Sequence, residues 1–289
     1  MVSVVVSASV VTTAEPVADP GSLRRAVGDL AVGLRQRQLW LVLGWQDIKQ
    51  RYRRSVLGPF WITISTGLQA TAMGLFYALF LHRRIDEYLP YVTVGLLVWN
   101  LIYAAIVEGA EVFIANEGLI KQLPSALSVH VYRLVWRHLL FFAHNLVIYA
   151  VMVAVFGIWR HLNWTVLLAI PAMAVLTLNA VWVAIVFGIL STRFRDISLF
   201  LGSTTLMLFV LTPVTWPTDL AQGTGAVAER LRFVELIPTY HYLAIIRAPL
   251  LGEPLPVRHW YIVGVITLAG WALAVAALTK YRARVPYWV

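Results

Sequence analysis

Seven histidines and two neighbouring carboxylates, Glu108 and Glu111, are what this sequence offers for acid–base or metal chemistry. The histidines, at 82, 130, 138, 144, 161, 241 and 259, form neither HExxH nor a paired-ligand spacing. Cysteine is absent, which removes thiolate ligands, cysteine nucleophiles and disulfides. A GxSxG nucleophile turn is missing as well. A phosphate-binding loop needs GxxxxGK[ST], so that backbone N–H groups and a lysine can cradle phosphates. The only lysines, Lys49, Lys121 and Lys280, follow Ile48, Ile120 and Thr279. The expectation is therefore a chain with no catalytic residue, no metal and no cofactor of its own. Glu108 and Glu111 read as a polar mouth or as snorkelling side chains, with an ion-coupling path as the sharper alternative. His144 beside Asn145 reads as a hydrogen-bonding pair between helices rather than a proton relay.

What the sequence does offer is surface of a particular kind. Thr66, Gln69, Met73 and Phe76 recur at helical spacing, with Tyr77 beside them. Tyr91, Gly95, Trp99 and Tyr103 form a second such stripe, and Thr205, Phe209, Thr212 and Trp216 a third. Aromatic rings present flat apolar surface with an electron-rich face, suited to the C–H faces of sugars. Helix-to-helix packing is the competing reading for each residue alone. The three stripes together point to a conduit for something amphipathic.

The elements holding these stripes must be membrane helices. Of 289 residues, 60% are hydrophobic and 13% charged, against roughly 25% charged in soluble domains. The mean hydropathy is +0.76. Six spans are expected: Phe60–Leu81, Leu89–Phe113, Leu139–Ile158, Thr165–Leu190, Ile197–Val214 and Trp260–Thr279. The fold class is all-α, an integral membrane protein. An even number of spans puts both termini on one side. Sixteen of the 23 basic residues fall on that side, which the positive-inside rule makes cytoplasmic. Trp159, Trp164, Trp216 and Trp260 then sit at outer span ends, as an interfacial belt requires. The net charge of +9 flanks the spans rather than forming a groove, so a nucleic-acid partner is not expected.

Ahead of the first span, Leu41, Trp45, Ile48, Tyr52 and Val56 form one apolar face, with Lys49, Arg51, Arg53 and Arg54 largely off it. That describes an interfacial amphipathic helix, broken at Gly58, with Pro59 opening the next helix. Residues 1–22 read as a disordered cytoplasmic tail, 23–57 as the interfacial region and 58–289 as a six-span domain. Two connections are long. Asn116–Arg137 opens with a short helix in which Glu117 and Lys121 form a favourable i, i+4 pair. Trp216–His259 contains PTYHYLAIIRAPLLGEP, too apolar for a solvated loop and too short to span, and so reads as re-entrant.

Four stretches together resemble the permease subunits of type-2 ABC exporters of lipid-linked polysaccharide, such as O-antigen, teichoic acid and galactan. They are RYRRSVLGPFW at 51–61, ANEGLIKQLP at 115–124, STRFRDI at 191–197 and IPTYHYLAIIRAPLLG at 237–252. The long N-terminal tail and PSAL after the second stretch depart from the family pattern. The resemblance implies a homodimer with two separate ATP-binding subunits, which would hold the ATP and Mg. It implies that Asn116, Glu117, Lys121 and Gln122 lie on a coupling helix against the ATPase, with Arg193, Arg195 and Asp196 as a second contact. It implies external gate helices that carry Trp216, Tyr240, His241 and Arg247. The stripe residues Thr66, Gln69, Met73, Phe76, Tyr77, Tyr91, Trp99, Tyr103, Thr205, Phe209 and Thr212 would line the channel. Arg51, Arg53 and Arg54 would admit the anionic lipid head, or serve only as topological anchors.

Two other readings compete. A permease for a small drug or lipid would tolerate Gly95→Trp, which should block a polymer more severely. A membrane enzyme of glycan assembly would need a carboxylate or histidine cluster that the sequence does not display.

Overall fold

The computed structural model describes residues 22–58, 60–122, 125–219, 232–254 and 257–289. In chain order the helices are α1 (Leu23–Arg35), α2 (Arg37–Arg51), α3 (Phe60–Phe80) and α4 (Ile85–Tyr103). The last of these runs into a π turn, Ala104–Glu108. Next come α5 (Glu117–Gln122), α6 (Leu127–Phe156), α7 (Ala169–Arg193) and α8 (Asp196–Leu211). The chain ends with α9 (Pro238–Leu251), α10 (Arg258–Tyr281) and α11 (Val285–Trp288).

Among the described residues, five helices are long and apolar enough to cross a bilayer: Phe60–Phe80, Ile85–Glu108, Ser128–Phe156, Trp164–Arg193 and Arg258–Trp288. The sixth apolar helix, α8, has 16 residues. At ~1.5 Å per residue it reaches ~24 Å, short of a ~30 Å hydrocarbon core. It stops at Leu211 rather than at Val214, the expected end of the fifth span. The α4 helix is the hub. Of its apolar window 78% is buried inside the protein, against 28% for α3 and 22% for α6 and α10. It packs on α3, α6 and α9, while α7 packs on α10, α9 and the π turn.

Several sequence expectations are corrected. Helix α6 starts at Leu127, twelve residues before the predicted span, so the second half of the supposed 116–137 connection is helix. Arg133 and Arg137 looked like loop cations, but both are paired across the fold. The expected interfacial stripe is cut short because α2 ends at Arg51. Ile48 is buried, yet Trp45 is exposed and Val56 lies wholly open beyond the helix. The chain turns there through positive φ at Arg54 and at Gly58. Residues 1–21, Pro59 and the 220–231 half of the expected re-entrant connection lie outside the described residues.

Candidate functional site

A charge network ties one end of the bundle together. The Arg133 guanidinium on α6 donates to both carboxylate oxygens of Asp47 on α2, at 2.8 Å through Nε and 2.5 Å through Nη2. Its third donor reaches Asn116 Oδ1 at 3.1 Å, just before α5. One turn on, Arg137 donates to Asp47 at 3.3 Å and to Glu108 at 2.6 Å. His138 also sits on Glu108, at 2.9 Å. Four elements, α2, the π turn, the turn before α5 and α6, thus meet in one set of charge-assisted bonds, with the side chains of Arg133, Arg137 and Asp47 mostly out of solvent. Glu108 owes its position to the π turn. Such a turn carries one residue more than an α turn and rotates the next stretch of helix by about 100°. The small residues Gly109 and Ala184 make that turn's approach to α7 possible, since a Cβ at 109 would sit 2.9 Å from Ala184 Cα.

Below this network lies α5. Lys121 donates to Glu117 at 2.6 Å, both side chains being about half exposed. That donor and its positive charge hold the Glu117 carboxyl below the ordinary glutamate range. The second predicted contact segment lies nearby, because α11 touches both α5 and α7. Arg193 stacks on the Phe194 and Trp288 rings, and Arg195 donates to the Trp288 carbonyl at 3.4 Å. Asp196 opens α8. The two predicted coupling segments therefore occupy one end of the molecule, with the C-terminal helix between them. The side chain of Asp29 on α1, fully out of solvent, accepts from the backbone N–H groups of Leu127 and Ser128 and from Arg282. It caps α6 from outside the helix, where a negative charge complements the helix dipole.

The opposite end is built around the break after α8. Carbonyls of Pro213, Val214, Thr215 and Trp216 have left the helix and need donors. Arg247 on α9 supplies Pro213 at 2.7 Å and Val214 at 3.2 Å. Tyr88 donates to Thr215, and Tyr91 to Trp216 at 3.0 Å. Arg247 is 3% exposed and lies 3.8 Å above the Tyr91 ring. Carbonyl dipoles and a π face thus replace water around a buried cation. Close by, the Nδ1 atoms of His241 and His259 approach to 2.8 Å, and His241 Nε2 faces the Glu235 carbonyl. Tyr240 packs on both imidazoles, and partly buried Trp216 donates to the Val210 carbonyl at 2.9 Å. With 14 residues, α9 spans ~21 Å, too short to cross.

The stripes divide. Thr66, Tyr91, Trp99, Thr205 and Thr212 are buried within the chain. Trp99 packs edge-on against Phe209, and Thr212 bonds Thr239. Packing is what the structure shows for these five. A Cβ on Gly95 would meet Arg247 Nη2 at 2.4 Å and the Val214 carbonyl at 2.7 Å, so Gly95 faces the break and no open path. Gln69, Phe76 and Tyr103 are exposed, with Met73, Tyr77 and Phe209 between. Arg51, Arg53 and Arg54 are all exposed at the end of α2. The His144 ring bonds within its own helix, Nδ1 to the Leu140 carbonyl, and the bond to another span goes through its backbone carbonyl, which accepts from Thr63 Oγ1 at 3.3 Å.

Sequence reasoning missed Asp29, Asp47, Arg133 and Tyr88. One signal was available: Arg133 and Arg137 stand four apart and so share a helix face. Nothing local names Asp47 as their partner, 86 residues away.

Comparison with known proteins adds the last observation. The family model described as "ABC-2 type transporter" matches residues 38–251. Among similar curated proteins, an "O-antigen export system permease protein RfbA" of Klebsiella pneumoniae is 27% identical over 183 residues, 63% of this chain and 70% of that one. A second Klebsiella pneumoniae protein of the same name is 24% identical over 258 residues, covering 84% of this chain and 93% of its own. A Myxococcus xanthus protein of that name is 24% identical over 191 residues, 66% of this chain and 72% of its own.

Proposed function

The chain belongs to the ABC-2 type transporter family, and from that premise we propose that it is the permease subunit of an ATP-driven exporter of lipid-linked polysaccharide. The observation that carries this reading is the extent of the match. It runs from α2 to the end of α9 and takes in the charge network, α5 and the pinned break. The names of the similar proteins favour a polysaccharide over a small amphiphile as cargo.

In this reading two copies of the chain form the channel, and two copies of a separate subunit bind ATP and Mg. Helix α8 and the residues after it, 212–216, together make a sixth crossing, so both termini face the cytoplasm, and the complex sits in the cytoplasmic membrane, as the basic bias supports. A polymer longer than the bilayer is thick cannot be enclosed and released in one alternating step. It needs a continuous path with weak, sequential contacts, for which Gln69, Phe76 and Tyr103 are the exposed candidates. The short helix α5, with Asn116, Glu117, Lys121 and Gln122, seats against the ATP-binding subunit, and Arg193, Arg195 and Asp196 make the smaller contact. Displacement of α5 reaches Arg133 through Asn116, and from there pulls α2 through Asp47 and α4 through Arg137 and Glu108. The lipid diphosphate head arrives past Arg51, Arg53 and Arg54. The α9 segment with Tyr240, His241 and Arg247, and Trp216 before it, forms the outer gate.

The test is co-purification with an ATP-binding partner, followed by export of labelled glycolipid from inverted vesicles. Glu117→Arg should leave insertion and basal ATP hydrolysis intact while abolishing export. Normal export by that variant would remove α5 from the coupling path.

A further inference from the structure

A cavity of 260 Å³ opens between the end of α2 and helices α3, α4 and α6; the transport reading puts Arg51 on the lipid head's approach and Tyr103 on the cargo path but assigns the cavity itself no ligand. Its polar lining includes Arg51, Tyr52, Asn100, Tyr103 and Asn145, and its apolar lining includes Phe141 and Phe142. Asn100 and Tyr103 lie on the second candidate span and Asn145 on the third, at depths where unsatisfied polar groups are costly. Asn145 is 3% exposed, and its Oδ1 has no hydrogen-bond partner among the described residues. No Asp or Glu among the described residues lines the cavity. The adjacent carboxylate, Glu108, is held by Arg137 and His138. Arg51 stands in no ion pair among the described residues, and its guanidinium lies 5.8 Å over the Phe141 ring.

A cation, several amide and phenol donors, and no acid make a site for an oxyanion. The open Asn145 oxygen adds an acceptor, which suits a hydroxyl close to that anion. The space holds a headgroup and not a whole lipid, so the hydrocarbon chain would run out along Phe141 and Phe142. We infer that this cavity binds a phosphate-headed lipid whose head also carries a hydroxyl. Two sources share that chemistry: a bilayer lipid such as phosphatidylglycerol, and the glycosyl diphosphate head of a lipid-linked cargo. The cargo arm alone rests on the export reading; the site itself does not.

Native mass spectrometry of the chain in complex with its ATP-binding partner tests the site. The probes are phosphatidylglycerol, a glycosyl polyprenyl diphosphate, and the neutral controls diacylglycerol and polyprenol. At least one phosphate lipid should be retained over its neutral control, and Asn145→Leu or Arg51→Gln should weaken retention about tenfold, the loss of one or two buried hydrogen bonds. Retention of phosphatidylglycerol alone identifies a bilayer lipid, and preference for the diphosphate identifies cargo. If Asn145→Leu does not fold, Asn100→Leu and Arg51→Gln give the same readout. Equal retention of neutral lipids, or undiminished phosphate-lipid retention in the folded variants, overturns the inference. Failed glycolipid export with lipid retention intact would instead sink the export reading and leave the site standing.

Discussion

Arg133 is the side chain on which most depends at the residue scale. Its three donors hold an interfacial helix, the approach to α5 and the third span in one place. Removing one partner of a buried ion pair leaves the other desolvated and unpaired. Arg133→Gln should therefore cost about 2–3 kcal/mol, at the low end because Arg137 still reaches Asp47. Thermal unfolding in detergent measures this. A double-mutant cycle with Asp47→Asn should return a coupling of at least about 1 kcal/mol, and additive effects would contradict the direct contact. Gly95 makes a second residue-scale prediction. Even Gly95→Ala forces Arg247 or the Val214 carbonyl to move, costing about 1–3 kcal/mol. The variant should lose stability before it shows any selective loss of polymer transport. Selective loss with an unchanged melting temperature would restore Gly95 to the channel wall.

Among the elements, α5 and the start of α6 have the most to say about coupling. Because Lys121 lowers the Glu117 pKa, the pair persists as pH falls through the ordinary glutamate range and is lost only below it. Lys121→Gln should therefore shift the acid limit of partner-stimulated ATP hydrolysis toward higher pH. An unmoved limit would show that the pair does not set it. Asp29→Ala strips the outside cap from α6 and unpairs Arg282, for an expected cost of about 2–4 kcal/mol by the same unfolding assay. These elements also show what the sequence could reveal. Long apolar runs gave away α3, α7 and α10 to within a few residues, because burial in lipid demands them. The first turns of α6 were hidden because Arg133, Arg137 and His138 look like loop residues until their partners on other elements are known. Helix α8 came out shorter than its apolar run because Pro213 to Trp216 gives its carbonyls to Tyr88, Tyr91 and Arg247 rather than to the helix. The polar–aromatic stripes were visible as faces, but periodicity cannot tell a face that meets a neighbour from one that meets a conduit. For Tyr91, Trp99 and Thr205 the neighbour is there.

For the whole molecule, the two ends of α4 do different work. One end joins Glu108 to the elements nearest the proposed ATP-binding partner, and the other pins the break after α8. Between them runs a helix buried on nearly every side, a stiff connection from coupling elements to outer gate. In the proposed exporter this arrangement would transmit work that the ATP-binding partner supplies. The most direct measurement is glycolipid transfer across proteoliposomes containing the chain alone, compared with the chain plus its ATP-binding partner. ATP-dependent transfer of polysaccharide-bearing lipid should appear only with both present. Uphill transfer by the chain alone, or ATP-driven movement of small amphiphiles but never of the glycolipid, would contradict the account.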